Sequence, residues 1–253
     1  MEAEAIITVE NLTGGYPGTV LFKNISFRVN RGERFVILGS SGCGKSTLLK
    51  IMTGLLKSMA GNVWVRGTEV SAGRGTNQTT LLQHAGVMFQ NGALFGSMNL
   101  LENVKLPLKE HTGLDENAMN MIALMKLKLV ELEKFAEYMP DRISGGMRKR
   151  AAIARAMALE PEILFLDEPS AGLDPVTSAQ IDRLILDLSR TLGITFIVVT
   201  HELSSIHMIG ERAIMLDSTE KGIIAEGSPD TLKRLGDNSK VFAFFNRQTD
   251  EAE

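Results

Sequence analysis

A glycine-rich segment near the start of the chain carries residues suited to binding phosphate. It reads Gly39-Ser40-Ser41-Gly42-Cys43-Gly44-Lys45-Ser46-Thr47 and fits the pattern G-x-x-x-x-G-K-[ST]. The backbone N–H groups of such a loop surround phosphates, while Lys45 supplies a point charge and Ser46 a magnesium ligand. A predicted strand (34–38) precedes the loop and a predicted helix begins at Lys45, which is the context that the motif requires. The segment therefore predicts nucleotide binding, a property shared by many ATPases, GTPases and kinases.

A hydrophobic strand that ends in two carboxylates is the second chemical feature. It reads Ile163-Leu164-Phe165-Leu166-Asp167-Glu168. Asp167 at the carboxyl end of the strand can hold magnesium through a water molecule, and Glu168 is placed to polarise an attacking water. An acidic pair in this position could also be merely solvated. The phosphate loop and the four apolar residues before the pair favour the catalytic interpretation.

Two further polar residues follow predicted strands. His201 ends the buried strand 196–200, where it could contact a γ-phosphate, although a lone histidine is more often structural. Gln90 follows Gly86-Val87-Met88-Phe89 and could reach magnesium or the attacking water. Because Gln90 is uncharged, it would orient water rather than abstract a proton. Both are candidate catalytic residues, and Gln90 is also a candidate magnesium ligand.

The hydrophobic pattern predicts an α/β protein. Residues 6–9 and 21–29 alternate between apolar and polar, as half-buried antiparallel strands do. From residue 163 onwards, strands and helices alternate as they do in parallel βαβ units. The predicted elements of that second part are 163–166, 176–190, 195–200, 212–217 and 222–225, with short helices after His201 and Pro229. Residues 73–80 are polar and glycine-rich, which predicts a surface loop.

A mostly helical segment interrupts this pattern. Residues 117–129 and 130–138 predict helices, and Ser144 is a suitable N-cap for a helix over 145–158. Near the end of the chain, 239–246 contains three phenylalanines, which suggests docking on this chain or on a neighbour.

Two groups of side chains in the helical segment each allow two interpretations. Met119, Met121 and Met125 could form a lipid-contact stripe, but their helical spacing favours core packing. Four cations of the helix 145–158 could bind an anion or could form a solvated face: Arg148, Lys149, Arg150 and Arg155.

The composition limits the classes of function and location. The sequence has 27 Lys and Arg residues and 30 Asp and Glu residues, which gives a formal charge of −3. This acidic balance, without a dense basic block, argues against nucleic acid as the main partner. The single cysteine, Cys43, suits a reducing cytosol; its place in the phosphate loop invites a redox role, but a position that merely accepts a small side chain is the simpler interpretation. No apolar run approaches the ~18 residues that span a bilayer, and the acidic start lacks the basic region of a secretory signal. We therefore expect a cytosolic protein whose membrane role, if any, requires a partner.

The motifs taken together resemble the ATP-binding cassette ATPases over about residues 5–235. The resemblance rests on their order: the phosphate loop, Gln90, Ser144-Gly145-Gly146, Asp167-Glu168, Ala171-Gly172-Leu173-Asp174 and His201. It implies an α/β P-loop NTPase (RecA-like) core with an N-terminal antiparallel β subdomain and an inserted α-helical subdomain. The expected boundaries are 1–92 for the first part of the core, 93–150 for the helical subdomain, 151–235 for the second part of the core and 236–253 for a C-terminal tail.

The resemblance also implies ATP and Mg²⁺ as cofactors and a pairing of two cassettes. In that family the Ser-Gly-Gly string of one cassette covers the γ-phosphate bound by the other, and a helix N-terminus without bulky side chains suits an anion. By the same resemblance Asp174 should lie at the dimer seam. Tyr16 should stack on adenine, although it could also be an ordinary turn aromatic.

One departure from the family pattern points to a branch. The usual string is Leu-Ser-Gly-Gly-Gln, whereas this chain has Ile143-Ser144-Gly145-Gly146-Met147, and Met147 cannot make the hydrogen bonds of a Gln amide. With Arg148-Lys149-Arg150 and the segments 90–95, 102–104 and 106–108, this resembles the MlaF-like ATPases of bacterial lipid transporters. That branch implies a homodimer at the cytoplasmic side of the inner membrane, an MlaE-like permease whose coupling helix meets the helical insert, an MCE-domain lipid-binding protein and an optional accessory subunit. The alternatives are an importer for another small substrate, a non-transport cassette that acts on ribosomes or DNA, and a regulatory module with little turnover.

Overall fold

The computed structural model describes residues 4–70, 84–235 and 239–246. The strands of these residues are β1 (Ala5–Tyr16), β2 (Thr19–Asn30), β3 (Arg34–Gly39), β4 (Ala60–Val65), β5 (Thr68–Glu69), β6 (Ala85–Met88), β7 (Ile163–Asp167), β8 (Thr195–Val199), β9 (Arg212–Asp217) and β10 (Gly222–Gly227). Their α-helices are α1 (Lys45–Met52), α2 (Leu100–His111), α3 (Glu116–Leu129), α4 (Gly145–Ala156), α5 (Pro175–Leu192), α6 (Leu203–Ile209), α7 (Pro229–Lys233) and α8 (Ser239–Asn246). The predicted loop 73–80 lies outside the described residues. None of the described helices combines the length and hydropathy needed to cross a bilayer.

The chain divides into two compact units. The first comprises Met1–Gln78 and Ile197–Glu253, and the second comprises Thr79–Phe196. Strand β8 contains the boundary between Phe196 and Ile197. The domain boundaries expected from the sequence stay a prediction.

An antiparallel sheet with the strand order β2-β1-β4-β5 forms one part of the first unit. Val9 faces Phe27 across the β1–β2 pair and Val63 across the β1–β4 pair, and all three side chains are buried. The antiparallel β1–β2 pair agrees with the half-buried antiparallel strands predicted from the sequence. In the same unit β3 runs parallel to β9, with Val36 opposite Ala213. The phosphate loop follows the carboxyl end of β3.

The C-terminal helix α8 packs on the core of the first unit. Val241 is completely buried and Phe245 is 4% exposed, within a cluster that includes Val36 and Leu38 of β3 and Ala213 of β9. Lys240 strengthens the attachment, because its Nζ lies 2.9 Å from the Asp217 carboxylate. The aromatic segment therefore docks on its own chain, one of the two predicted possibilities.

The second unit joins a parallel strand pair to helices. β6 and β7 are parallel, with Gly86 opposite Leu164. A Cβ at Gly86 would lie only 2.0 Å from the Ala156 carbonyl oxygen, so this position accepts no side chain. The close approach of β6 to α4 therefore requires glycine.

The helices of the second unit begin where short polar side chains cap them. Asn99 and Glu102 form a reciprocal capping box at the start of α2, and Asp115 accepts from the Ala118 N–H at the start of α3. Such caps satisfy backbone donors that a helix leaves without partners in its first turn. Ser144 caps α4 as predicted, although α4 ends at Ala156 rather than at residue 158.

The predicted helix over 130–138 is wrong. Only Glu133–Phe135 forms a helical turn there, of the 3₁₀ type. Glu131 has φ +61°, a left-handed conformation that a continuing right-handed helix cannot contain. Val130 and Leu132 on either side are buried, so this turn is fixed by core packing.

The core interpretation of the three methionines holds for one of them. Met119 is 7% exposed and shares the buried face of α3 with Ala123 and Leu127 at four-residue spacing. Met121 and Met125 are 64% and 59% exposed, because they lie on the opposite face. The prediction of core packing is wrong for these two.

Candidate functional site

The phosphate loop owes its shape to glycines that connect β3 to α1. Gly39, Gly42 and Gly44 have φ angles of +140°, +80° and +103°, a region that L side chains rarely adopt. A Cβ at Gly39 would also lie 2.3 Å from the Leu216 carbonyl oxygen. No side chain caps α1, because Gly44 occupies its N-cap position. A helix start of this kind presents backbone N–H groups and the positive end of the helix dipole to an anion.

Lys45 lies against this loop rather than in solvent. Its side chain is buried, and its Nζ donates to the carbonyl oxygens of Gly39 and Ser40, each at 2.8 Å. The two hydrogen bonds hold the Lys45 ammonium against the first two residues of the loop. This is where a point charge can act on phosphate oxygens.

Cys43 is held in the same loop, and its properties argue against the redox role. The thiol is 1% exposed, and burial raises the pKa of Cys43 above its usual range, while the nearby Lys45 opposes this shift. A thiol without thiolate character is a poor nucleophile. The geometry supports the simpler interpretation, in which the loop accepts a small side chain there.

We expect Cys43 of the folded protein to resist alkylation by iodoacetamide at pH 7. Both the burial of the thiol and its raised pKa keep the reactive thiolate scarce, so the rate should rise only at pH values above the ordinary thiol pKa of about 8.5. Mass spectrometry of timed samples measures the rate, with the same protein in urea as the control. Alkylation at pH 7 that is as fast in the folded protein as in urea would contradict this prediction.

Tyr16 and His201 also belong to the first unit. Tyr16 ends β1, opposite Thr19, and its side chain is 43% exposed. His201 follows β8 by two residues and is exposed. Just before it, the Thr200 N–H donates a hydrogen bond to the Ile37 carbonyl oxygen of β3 at 3.4 Å. The adenine-stacking and γ-phosphate roles of these two residues stay predictions.

The carboxylates Asp167 and Glu168 lie at the end of β7 in the second unit. All five residues of β7 are buried, and the exposed fractions of Asp167 and Glu168 are 5% and 7%. Glu168 has φ +50°, in the left-handed region that is uncommon for a residue with a side chain. Strained backbone of this type concentrates at functional sites. The observation agrees with a catalytic role for Glu168, which stays a prediction.

Gln90 lies on the turn that follows β6, and its side chain is exposed. Its carbonyl oxygen accepts a hydrogen bond from the Nζ of Lys149, which also donates to the Glu168 carbonyl at 2.9 Å. Two candidate catalytic residues of the second unit are thus attached to one lysine of α4. From the sequence, Lys149 is only one of four cations on this helix, with no predicted catalytic role.

The Ser-Gly-Gly string forms the start of α4. The Ser144 Oγ accepts from the Met147 N–H at 3.2 Å, and the Ser144 side chain is exposed. A Cβ at Gly146 would lie 2.4 Å from Cγ2 of Thr177, and one at Gly145 would lie 3.2 Å from the Leu173 side chain. The glycines therefore permit the close packing of this helix start.

Asp174 is the N-cap of α5. Its carboxylate accepts from the N–H groups of Val176 and Thr177 at 3.1 and 3.0 Å and from the Thr177 hydroxyl at 2.5 Å. These hydrogen bonds, led by that of the Thr177 hydroxyl, hold the pKa of Asp174 below its usual range. Asp174 thus fixes the threonine that faces Gly146; its place at a dimer seam stays a prediction.

The four cations of α4 differ in exposure: Lys149 is buried, Arg150 and Arg155 are half-buried, and Arg148 is exposed. Each bonds to groups of this chain: Arg148 to the Ile143 carbonyl at 3.0 Å, Lys149 as described, Arg150 to Glu131 and Gln180 at 2.6 and 3.0 Å, and Arg155 to the carbonyls of Ala93 and Gly92 at 2.7 and 2.9 Å. Lys149 is therefore an internal donor rather than part of a solvated face, whereas the exposed Arg148 agrees with a solvated face. The anion-binding alternative stays a prediction. For Lys149 the sequence held a signal, because it lies three residues after Gly146 and three before Ala152, at the spacing of one buried helix face.

The predicted magnesium ligands Ser46, Gln90 and Asp167 provide a hydroxyl, an amide and a carboxylate oxygen. Hard oxygen donors of this kind suit Mg²⁺. Within the described residues, no group of three or more His, Cys, Asp or Glu could hold a metal by itself.

Comparison with known proteins places these features in a family. A family model described as "ABC transporter" matches residues 22–171. The "Intermembrane phospholipid transport system ATP-binding protein MlaF" of Haemophilus influenzae is 36% identical over 97% of this chain and 92% of its own length. The "Probable ribonucleotide transport ATP-binding protein mkl" of Mycobacterium leprae is 39% identical over 83% of this chain and 60% of its own length.

A solved structure agrees with these relatives. It is described as a dimeric, post-hydrolysis state of the ATP-binding cassette MJ0796 bound to ADP and Pi. It has a TM-score of 0.80 and 32% identity to this chain, and the match covers 88% of this chain and 98% of the other. The predicted fold class, a P-loop ATPase core of the ABC type, is confirmed. The chain belongs to the ABC transporter family and is one of its ATP-hydrolysing cassette subunits.

Proposed function

We propose that this chain is the ATPase subunit of a transporter that moves phospholipid between membranes. The proposal rests on the similarity of this chain to the MlaF protein of Haemophilus influenzae, a similarity that extends over 97% of the chain. The methionine at position 147, with the cations that follow it, supports the same branch.

The predicted site residues would have separate roles in ATP hydrolysis. The backbone of the phosphate loop and the Lys45 ammonium would bind the phosphates, with Tyr16 against adenine. Ser46, Asp167 and Gln90 would hold magnesium, which when bound neutralises charge that develops on the phosphates.

Glu168 would accept a proton from the attacking water, and Gln90 would orient that water. His201 would hydrogen-bond the γ-phosphate. The buried position of the Glu168 carboxylate supports its part, because a base shielded from bulk water keeps a defined orientation.

Two copies of the chain would form the active unit. In that arrangement Ser144, Gly145 and Gly146 of one copy would cover the phosphates bound by the other, and Asp174 would lie at the seam. The dimeric state described for the related cassette supports this arrangement. The start of α4 is suited to such a contact, since its N-terminal donors are flanked only by a serine and two glycines.

The segment between β6 and α2 would receive the coupling helix of an MlaE-like permease. Internal hydrogen bonds hold this segment in shape: the fully buried Asn103 amide donates to the carbonyls of Phe95, Met98 and Asn99 at 3.1, 2.9 and 3.0 Å. Phe95 is 49% exposed, so it offers an apolar contact on an ordered base. With such a permease, an MCE-domain lipid-binding protein and a small accessory subunit, the chain would act at the cytoplasmic side of the inner membrane.

Purification of the tagged chain from detergent-solubilised membranes tests this function. We expect an integral-membrane permease and an MCE protein to co-purify, and lipid mass spectrometry to detect phospholipid in the complex. A Phe95→Ser variant should lose most of the permease, whereas Tyr138→Ser, with a similar exposure of 47%, should retain it.

The mkl relative supports a second candidate, transport of ribonucleotides. The complex reconstituted into lipid vesicles separates the two. ATP-dependent movement of a fluorescent phospholipid supports the first function. Uptake of labelled ribonucleotide without phospholipid movement would refute the phospholipid-transport function and favour ribonucleotide transport.

A further inference from the structure

Lys149 is a buried cation that joins three segments of the second unit. It lies in the second turn of α4, and it is 8% exposed. Its Nζ donates to the main-chain carbonyl of Glu168 at 2.9 Å and to that of Gln90. The partners lie 19 and 59 residues away along the chain, so the ammonium connects the end of β7 and the turn after β6 to α4.

The bond to Glu168 matters because of the backbone at that residue. With φ +50°, Glu168 occupies a conformation that costs about 1–3 kcal/mol and persists only where its surroundings enforce it. A hydrogen bond to its carbonyl fixes the orientation of the following peptide plane. Because the rotamers open to a side chain depend on φ and ψ, the same bond limits the positions that the Glu168 carboxylate can take.

We propose that Lys149 is a positioning residue for hydrolysis, which holds the peptides of Glu168 and Gln90 in fixed register with α4. An ammonium group suits this task, since it carries three donors and no acceptor and can serve two carbonyls at once. The inference rests on the proposed catalytic role of Glu168 and adds to it a residue that would act through the main chain of Glu168 and Gln90. It also connects the Glu168 peptide of one copy to α4, and the first residues of α4 would cover the nucleotide bound by the other copy.

Lys149→Met tests the proposal, because it keeps the length and apolar stem of the side chain and removes the donors. We expect kcat for ATP to fall by about tenfold or more, since small displacements of a catalytic group have effects of up to about 100-fold. The KM for ATP should stay within about twofold, because Lys149 holds no part of the nucleotide. Lys149→Arg keeps the charge and supplies enough donors for both carbonyls, so it should retain kcat within about threefold of the unchanged protein.

Lys126→Met is the matched control. Lys126 is also a buried lysine of the second unit, at 6% exposure, but its Nζ bonds the Glu160 carboxylate at 3.0 Å rather than a catalytic segment. Thermal unfolding of both variants measures the loss of stability. We expect similar shifts of Tm, with kcat lowered only by Lys149→Met.

Three results would overturn the proposal: Lys149→Met with kcat within twofold of the unchanged protein, Lys126→Met with an equal loss of kcat, or Lys149→Arg as slow as Lys149→Met. Glu168→Gln, assayed in parallel, separates this failure from that of the proposed function. If Glu168→Gln is inactive while Lys149→Met is fully active, only the positioning role fails. If Glu168→Gln remains active, the catalytic role of Glu168 fails as well.

Discussion

Replacement of Glu168 by glutamine should lower kcat for ATP hydrolysis by about 10²–10⁴-fold, the usual contribution of a general base. Glutamine has almost the same shape but cannot accept the proton of the attacking water. The affinity for ATP should stay unchanged, because the role proposed for Glu168 is on the attacking water rather than on the nucleotide. A steady-state phosphate-release assay measures kcat, and equilibrium binding of a fluorescent ATP analogue measures the affinity.

Glu162→Gln provides the control for this substitution. Glu162 immediately precedes β7, at the opposite end of the strand from Glu168, and its carboxylate lies 3.7 Å from the Nδ1 of His84. Its replacement should leave kcat within about twofold, as is usual for a partly exposed surface pair. Retention of normal turnover by Glu168→Gln would remove Glu168 from the mechanism.

Replacement of Lys45 by methionine should raise the Kd for ATP by about 10- to 100-fold. Hydrogen bonds to a charged group contribute about 1.5–3 kcal/mol each, and methionine keeps the buried stem of the lysine without the ammonium. Isothermal titration calorimetry with Mg²⁺-ATP measures the change. The structure supports a specific effect, since the amine is held at the loop by two carbonyl oxygens at 2.8 Å.

Lys50→Met is the matched variant, because Lys50 lies in the last turn of the same helix, α1. We expect its Kd to match that of the unchanged protein. An equal loss of affinity in both variants would indicate damage to α1 rather than the loss of a phosphate ligand.

The sequence predicts best those parts of the site that are contiguous in the chain. The phosphate loop is set by glycines at three positions of positive φ, and each lies in the motif itself. The strand before Asp167 and Glu168 is equally local, because its four apolar residues follow Pro161, and a run of this length near a proline favours a buried strand.

The contacts that hold the site together depend on residues far apart in the sequence. Arg155 reaches carbonyl oxygens 62 and 63 residues away, and Lys149 reaches one 59 residues away. A charge pattern along one helix cannot distinguish such internal donors from a solvated face. The predicted helix over 130–138 failed for a related reason: its composition favours a helix, but packing around Val130 and Leu132 holds Glu131 in a left-handed turn.

The burial of Cys43 has a practical consequence for work on the motion of this ATPase. It is the only cysteine among the 253 residues of the sequence. Because its thiol is enclosed and its pKa is raised, a maleimide dye should prefer a cysteine introduced at an exposed position. Fluorophore pairs for single-molecule distance measurements can therefore be attached without first altering the phosphate loop.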